Sequence, residues 1–337
     1  MGTHLEDTKD TLSVLYTVDN NFVPQLAAGI HSICSSNQDF LGIRFYVFSN
    51  GISEDNQDAL KGYVASLGRE IVFIDIVGFM RRLGFDFDTS GWNEIVMSRL
   101  LMNQFLPKEL DRVLYLDGDT IVRRSLRELW DTPLDDYVLA AAMEPTCDAS
   151  RLDKLSLAGR PYYNAGVLLV NLKKWRESSA EARLLAYCKD RAGNLFANDQ
   201  DAINAVLKDE IKPCSSSYNS YNSLAFYNYK MLNELMPSYN DETSYEEAIH
   251  DPYIVHYLGE ERPWRKGNAH VFRDDYLNNL NATPWAGAGI EEGWETYFLI
   301  WNAFNHIFVH APRVRYSIIT KAIPLFISFR AYMRRAK

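Results

Sequence analysis

The chain has few cysteines, no glycine-rich phosphate loop and no long apolar run, and each shortage removes a class of protein. Its four cysteines, Cys34, Cys147, Cys188 and Cys214, are scattered through 337 residues. They have neither zinc-ligand spacing nor the density of a disulfide framework, and they fit a reducing compartment. After the first strand-like run stands Asp19-Asn20-Asn21-Phe22 rather than G-x-G-x-x-G, so the dinucleotide fingerprint is excluded. A nucleotide bound here would need another counter-charge for its phosphates. No stretch reaches the ~20 apolar residues of a spanning helix. Residues 1–10 hold no apolar signal segment, and Glu6 stands where N-myristoylation wants Ser or Thr, so a cytoplasmic protein is expected. Internal repeats and low-complexity linkers are missing too. With 47% hydrophobic and 23% charged residues, the composition excludes disorder and collagen and fits one large α/β domain with appendages.

Acidic charge is missing from one end. Residues 301–337 hold seven of the 35 Lys and Arg and none of the 44 Asp and Glu, which leaves the preceding residues at net −16. Within that tail Ile318, Ile319, Ile323, Leu325, Phe326, Ile327 and Phe329 mix with Arg315, Lys321 and Arg330, and Pro324 is expected to interrupt the run. The pattern predicts a segment lying in an anionic membrane surface, at the inner face of the cell membrane. A C-terminal helix docked on the acidic body and a partner-binding helix are the alternatives. No nucleic-acid partner is expected.

β-branched and aromatic density predicts strands over 12–17, 43–49, 70–76, 112–116, 137–142 and 166–171. Helical patterns fill 24–35, 53–67, 93–105 and 178–191. This alternation predicts an α/β fold, a mostly parallel sheet with helices on both faces. Beyond about residue 212 the character changes: 215–229 is rich in Ser, Asn and Tyr, and Trp264, Trp285, Trp294 and Trp301 follow. Aromatics of that kind suit carbohydrate recognition and core packing alike.

Four constellations carry candidate chemistry. Asp117-Gly118-Asp119 closes the apolar run 112–116, and in an extended segment the i, i+2 spacing puts both carboxylates on one side. Oxygen ligands at the C-terminal edge of an open sheet suit Mg²⁺ or Mn²⁺ bridging a diphosphate; a solvated turn is the plainer alternative. His256 leaves a strand-like stretch three residues before Gly259, with Arg262 beyond, a grouping able to complete a metal site and meet phosphate, or to be merely structural. Asn164, Ala165 and Gly166 precede the apolar run 167–170, the small residues leaving room for a ligand. Asn198-Asp199-Gln200-Asp201 opens a helix over 202–207; Asn198 or Asp199 suits an N-cap, which leaves Gln200 without a task.

In order, Thr17-x-Asp19-Asn-Asn21, Tyr115-Leu-Asp117-Gly-Asp119, Leu129-Trp130-Asp131, Tyr163-Asn164-Ala165-Gly166 through Asn171-Leu-Lys-Lys-Trp175, Asp199-Gln200-Asp201 and His256-x-x-Gly259-x-x-Arg262-Pro-Trp264 resemble glycosyltransferase family 8. Bacterial lipooligosaccharide α-galactosyltransferases and their relatives are the most similar pattern. The resemblance spans 11–275 and implies a Rossmann-like GT-A domain, with 276–337 a helical appendage. It implies a retaining hexosyltransferase that moves galactose or glucose from a UDP-sugar to a saccharide acceptor on lipid or glycoprotein. Mn²⁺, or Mg²⁺, would be ligated by Asp117, Asp119 and His256. Thr17, Asp19, Asn21 and Phe22 would hold uracil and ribose. Arg99 and Gly118 would approach the donor, Asn164, Ala165, Asp199 and Gln200 would line its sugar, and Gly259 and Arg262 would contact its phosphates. Gln200, with Asp199, would be catalytic, near the far face of the anomeric carbon. Two positions depart from the pattern: Arg262 stands where Lys is common, and Glu144 where relatives place Asp. A silent UDP-sugar-binding scaffold and a UDP-sugar hydrolase are the competing classes.

Overall fold

The computed structural model describes residues 10–85, 87, 94–191, 195–236 and 239–335, with side chains to residue 323. Seven strands form the main sheet: β1 (Thr11–Asp19), β2 (Gly42–Asn50), β3 (Glu70–Asp75), β4 (Arg112–Leu116), β6 (Leu139–Met143), β7 (Tyr163–Asn171) and β8 (Ile211–Cys214). Two short strands, β5 (Thr120–Val122) and β9 (Ile254–His256), make a separate antiparallel ribbon. The order of the main sheet is β3-β2-β1-β4-β7-β6-β8. β7 is antiparallel to β4 and β6, and the remaining neighbours run parallel, which makes a mostly parallel sheet of the kind the GT-A fold uses.

Period-two alternation makes this sheet a partition between two cores. On β1, Leu12, Val14, Tyr16 and Val18 enter one core and Leu15 the other; on β4, Leu114 and Leu116 part from Val113 and Tyr115 in the same way. Helices cover both faces. α1 (Val23–Ser36) starts with Pro24 in its first turn, and α2 (Glu54–Ser66) starts at Ser53, whose hydroxyl accepts the Asn56 N–H at 3.3 Å. Further on come α3 (Ala180–Arg191), α4 (Asn198–Leu207), α5 (Arg273–Asn281), α6 (Glu295–Phe308) and α7 (Pro312–Arg335).

Four expectations need correcting. The helix expected over 93–105 is a 3₁₀ segment, Glu94–Leu101, followed by one α-turn, Met102–Phe105; Asn93 lies outside the described residues. Ser98 Oγ donates to Ile95 O and Arg99 Nε to Val96 O, so both side chains compete locally for backbone three residues back. Strand β8 was not predicted, because Pro213 argues against a central strand; it lies at the sheet's edge, where proline is tolerated. The helix trace of α7 continues through Pro324, which removes only one helical donor. Finally, the division between 275 and 276 falls inside α5.

Candidate active site

Strand register brings the site together. Tyr16 pairs with Leu116, so Thr17 and Asp117 follow side by side where β4 ends, and Leu116 pairs antiparallel with Val167, which sets Gly166 opposite Asp117. The Asp117 N–H donates to Gly166 O at 2.8 Å. The pair is not one extended segment, as the i, i+2 argument assumed: Asp117 follows β4 directly, and Gly118 and Asp119 form the turn into β5. The β5–β9 ribbon then pairs Thr120 with His256, and the Tyr257 N–H donates to Asp119 O at 2.9 Å. One ligand atom from each of Asp117, Asp119 and His256 therefore falls within 4.8 Å of the others. His256 Nε2 is 3.3 Å from Asp119 Oδ1 and 3.7 Å from Asp117 Oδ2.

The hydrogen-bond chain behind His256 assigns its tautomer. Gly166 N–H donates to Asn164 Oδ1, which therefore also accepts from Asn219 Nδ2; this turns Asn219 Oδ1 toward His256 Nδ1, both later bonds at 2.9 Å. Nδ1 is thus a donor, which leaves Nε2, on the carboxylate side, as the nitrogen that would give its lone pair to a cation there, the arrangement a metal-ligating imidazole needs. Two hard carboxylate oxygens and one imidazole nitrogen fit Mn²⁺ or Mg²⁺. Burial disfavours the charged imidazole, but Asp119 and Asp117 outweigh it and raise the His256 pKa. Burial likewise works against ionised Asp119, and His256 with Arg262 still lowers it.

Arg99 is the electrostatic centre. Almost wholly buried, it lies 2.8 Å from Asp117 Oδ1 and 2.9 Å from Asp199 Oδ2, and it donates to Ala165 O. Its guanidinium carbon stands 4.4 Å from the centre of the Tyr115 ring, whose hydroxyl donates to Asp117 Oδ1 at 2.7 Å. Burial alone would lower the Arg99 pKa, but Asp117 and Asp199 carry it upward. Asp199 is raised to about 6, chiefly by burial and partly by Asp117, with Arg99 opposing.

The small residues do something other than expected. A Cβ on Gly166 would come within 2.2 Å of His256 Cε1, so this glycine makes room for the histidine, not for a ligand. A Cβ on Gly118 would meet Val18 Cγ1 at 3.0 Å and Phe22 Cδ1 at 3.2 Å. Asn164 also donates to Glu144 Oε2 at 2.9 Å, so its amide is engaged on both sides. Asp199 is not the N-cap of α4; that position is Ala197, and Asp201 Oδ2 accepts the Ala197 N–H at 3.0 Å. Gln200 Oε1 accepts the Ala165 N–H at 2.9 Å, which aims its Nε2 at Glu144 Oε2 (3.0 Å) and Tyr162 OH (3.1 Å). Glu144, a departure from the family pattern in the sequence, is thus the shared acceptor for Gln200 and Asn164.

Asp19 Oδ1 accepts the Asn21 N–H at 2.9 Å and shapes the turn after β1, while Thr17 Oγ1 accepts from Ser98 Oγ at 3.3 Å. Gly259 adopts φ +72°, the left-handed region, and its carbonyl accepts from Arg262 Nε at 3.0 Å. Arg262 Nη2 lies 3.6 Å from Asp119, with the guanidinium 5.4 Å from the Phe22 and Trp264 ring centres. Asn219, Tyr162 and Tyr115 are the contributors the sequence did not mark with a task. Asn219 sits in the Ser, Asn and Tyr-rich stretch, where nothing in its neighbours singles it out. Trp264 is fully buried, a core residue rather than a carbohydrate platform.

Comparison with known proteins agrees with this geometry. Residues 13–267 match the model of glycosyl transferase family 8. General stress protein A of Bacillus subtilis is 24% identical over 285 residues, covering 83% of this chain and 96% of its own. The lipopolysaccharide 1,3-galactosyltransferase of Salmonella typhimurium is 24% identical, covering 82% of this chain and 80% of its own. The crystal structure of galactosyltransferase LgtC with donor and acceptor sugar analogs superposes with a TM-score of 0.68 at 26% identity, covering 85% of this chain and 99% of that one. On the family match and this fold, the chain belongs to glycosyltransferase family 8 and is a glycosyltransferase.

Proposed function

We propose that the enzyme moves a hexose, galactose or glucose, from its UDP-sugar to a saccharide acceptor carried on lipid or glycoprotein, with retention at the anomeric carbon and dependence on Mn²⁺ or Mg²⁺. The convergence of Asp117, Asp119 and His256 beside buried Arg99 carries this reading. When bound, the cation offsets the charge of the diphosphate and of departing UDP. Thr17, Asp19, Asn21 and Phe22, at the β1 edge, receive uracil and ribose. Asn164, Ala165, Asp199 and Gln200 line the sugar. The Gln200 carboxamide, fixed by Ala165 and Glu144, presents a preorganised dipole to positive charge developing on the anomeric carbon, and Arg262 and the Gly259 turn face the phosphates. Front-face displacement needs no strong nucleophile, consistent with Asp117, Asp119 and Asp199 each lying beside an arginine.

No described helix is long and apolar enough to cross a membrane. Exposed Leu299, Ile300 and Ile307 on α6 and Val314, Ile318 and Ile323 on α7 support surface attachment to anionic lipid at the inner face.

Incubation with UDP-, GDP- and TDP-sugars, with and without saccharide acceptors, tests the reading. Transfer from a UDP-hexose should vanish in excess chelator and return with Mn²⁺. Asp119→Asn should lower kcat by roughly a hundredfold or more. UDP release without an acceptor would mark a hydrolase, and UDP-sugar binding without turnover a silent scaffold.

A further inference from the structure

We infer that Glu261 is a positioning residue for the phosphate-facing loop 259–262 and that the C-terminal helices hold it there. The inference rests on the donor reading above, because the loop matters through the diphosphate it would face. Arg262 turns inward to Asp119, and its neighbour Glu261 turns the opposite way, toward α6. Both Glu261 oxygens are gripped: Oε1 accepts from Trp301 Nε1, and Oε2 accepts from Asn222 Nδ2 at 2.7 Å. The Trp301 ring is itself held by stacking on Phe304, with centres 5.4 Å apart and planes at 16°.

Behind this contact lies the buried side chain of Arg315, from the first turn of α7. It donates to Tyr227 OH at 2.8 Å and twice to Asn305 Oδ1, at 3.0 and 3.1 Å. Its guanidinium lies 4.0 Å from the centre of Phe226 and 5.6 Å from that of Trp301. Arg315 therefore ties α7 to α6 and to the segment that carries Asn222, the two sources of the Glu261 donors. A second strap lies just after the loop, since Glu291, four residues before α6, accepts from Trp264 Nε1 at 3.0 Å and from Arg265 Nε at 2.8 Å. The loop is thus fixed from inside by Arg262 and from outside by Glu261, so the C-terminal helices bear on donor affinity as well as on surface attachment.

Two conservative changes test this without deleting a helix. Trp301→Phe keeps an aromatic ring to stack on Phe304 and removes the donor. Glu261→Gln keeps the shape but meets two donors with a single carbonyl oxygen. Both should weaken UDP binding in Mn²⁺, measured calorimetrically, by roughly tenfold, the scale of one lost bond to a charged group. Donor KM should rise with kcat nearly unchanged, the melting temperature should hold, and hydrogen exchange over 257–262 should quicken in the ligand-free protein. The double variant should lose little more than either single one. If wild-type protein binds UDP and both variants match it in affinity and loop exchange, Glu261 positions nothing. A fall in melting temperature with proportional losses in kcat and acceptor KM would likewise overturn the proposal, leaving a structural role. Failure of wild type to bind UDP would sink the donor reading and this inference together.

Discussion

Gly166 shows how little freedom a single residue has at this site. Adding one methyl there collides with the His256 ring on one side and leaves Asp117 Oδ2 at 3.0 Å on the other. Gly166→Ala should therefore expel His256 from the cluster and abolish Mn²⁺-dependent UDP binding by titration calorimetry. The loss of stability should be only about 1–3 kcal/mol, the usual cost of overpacking. Unimpaired UDP binding by a folded Gly166→Ala protein would show that His256 is not required where it stands. At this scale the sequence was legible wherever a residue type announces its chemistry: Asp117, Asp119 and His256, marked as possible metal ligands, converge in the fold. Residues that act by orienting others were not legible. Asn219 and Tyr162 matter through partners 37 and 39 positions away in the chain, His256 and Asp201, and only the folded register makes those pairs.

Among the elements, α4 best separates stability from function. Its first turn carries two buried carboxylates whose tasks differ. Asp201 accepts from Tyr162 at 2.7 Å, from Arg151 and from the Ala197 backbone, whereas Asp199 faces Arg99 in the candidate site. Asp201→Ala should cost about 3–5 kcal/mol in urea unfolding, because it strands a largely buried arginine, the N–H of the N-cap residue Ala197 and a tyrosine hydroxyl. A loss under about 1 kcal/mol would mean that Arg151 finds another partner or water. Residue type suggested Asn198 or Asp199 as the N-cap; the cap is Ala197, without a side-chain bond, and Asp201 reaches back to its N–H instead. Strands rich in Val, Ile and Tyr were read correctly because burial on both faces demands such residues. The three-residue β5 escaped notice, being too short for any periodicity to show, and with it the ribbon that delivers His256.

On the whole molecule, two long-range properties can be measured. His270 is buried, and burial lowers its pKa to about 4 from the ordinary 6.5. The unfolded chain thus binds a proton that the folded chain refuses between those values, so stability is complete above about pH 6.5 and falls as pH drops toward 4. The loss attributable to His270 should approach ~3 kcal/mol. His270→Asn, which keeps an acceptor for the Phe272 N–H, should flatten that limb of a stability-against-pH curve; an unchanged limb would place the acid sensitivity elsewhere. The second property is the charge asymmetry. Arg313 pairs with Glu234 and Arg315 is buried, so the tail offers fewer free cations than its composition suggests. Deleting it would remove Arg315 from the fold, so substitution is the cleaner probe. Ile307→Ser with Ile318→Ser and Lys321→Glu should abolish sedimentation with anionic vesicles at low salt and spare transfer to a soluble acceptor. Wild-type binding should weaken as salt rises. Vesicle binding that survives all three changes would rule out this face.

The β5–β9 ribbon also fixes when the site can first exist. Thr120 and His256 pair across 136 positions of chain, so both strands must be made and the loop between them closed before they meet. Closing so long a loop is entropically unfavourable until the main sheet has formed, so pairing of this kind comes late in folding. A ribosome-bound chain that has exposed β1 through β8 would carry all seven strands of the main sheet and no third ligand. Mn²⁺-dependent capture of UDP by the nascent chain should therefore begin only after His256 emerges, which makes nucleotide binding a reporter of ribbon closure.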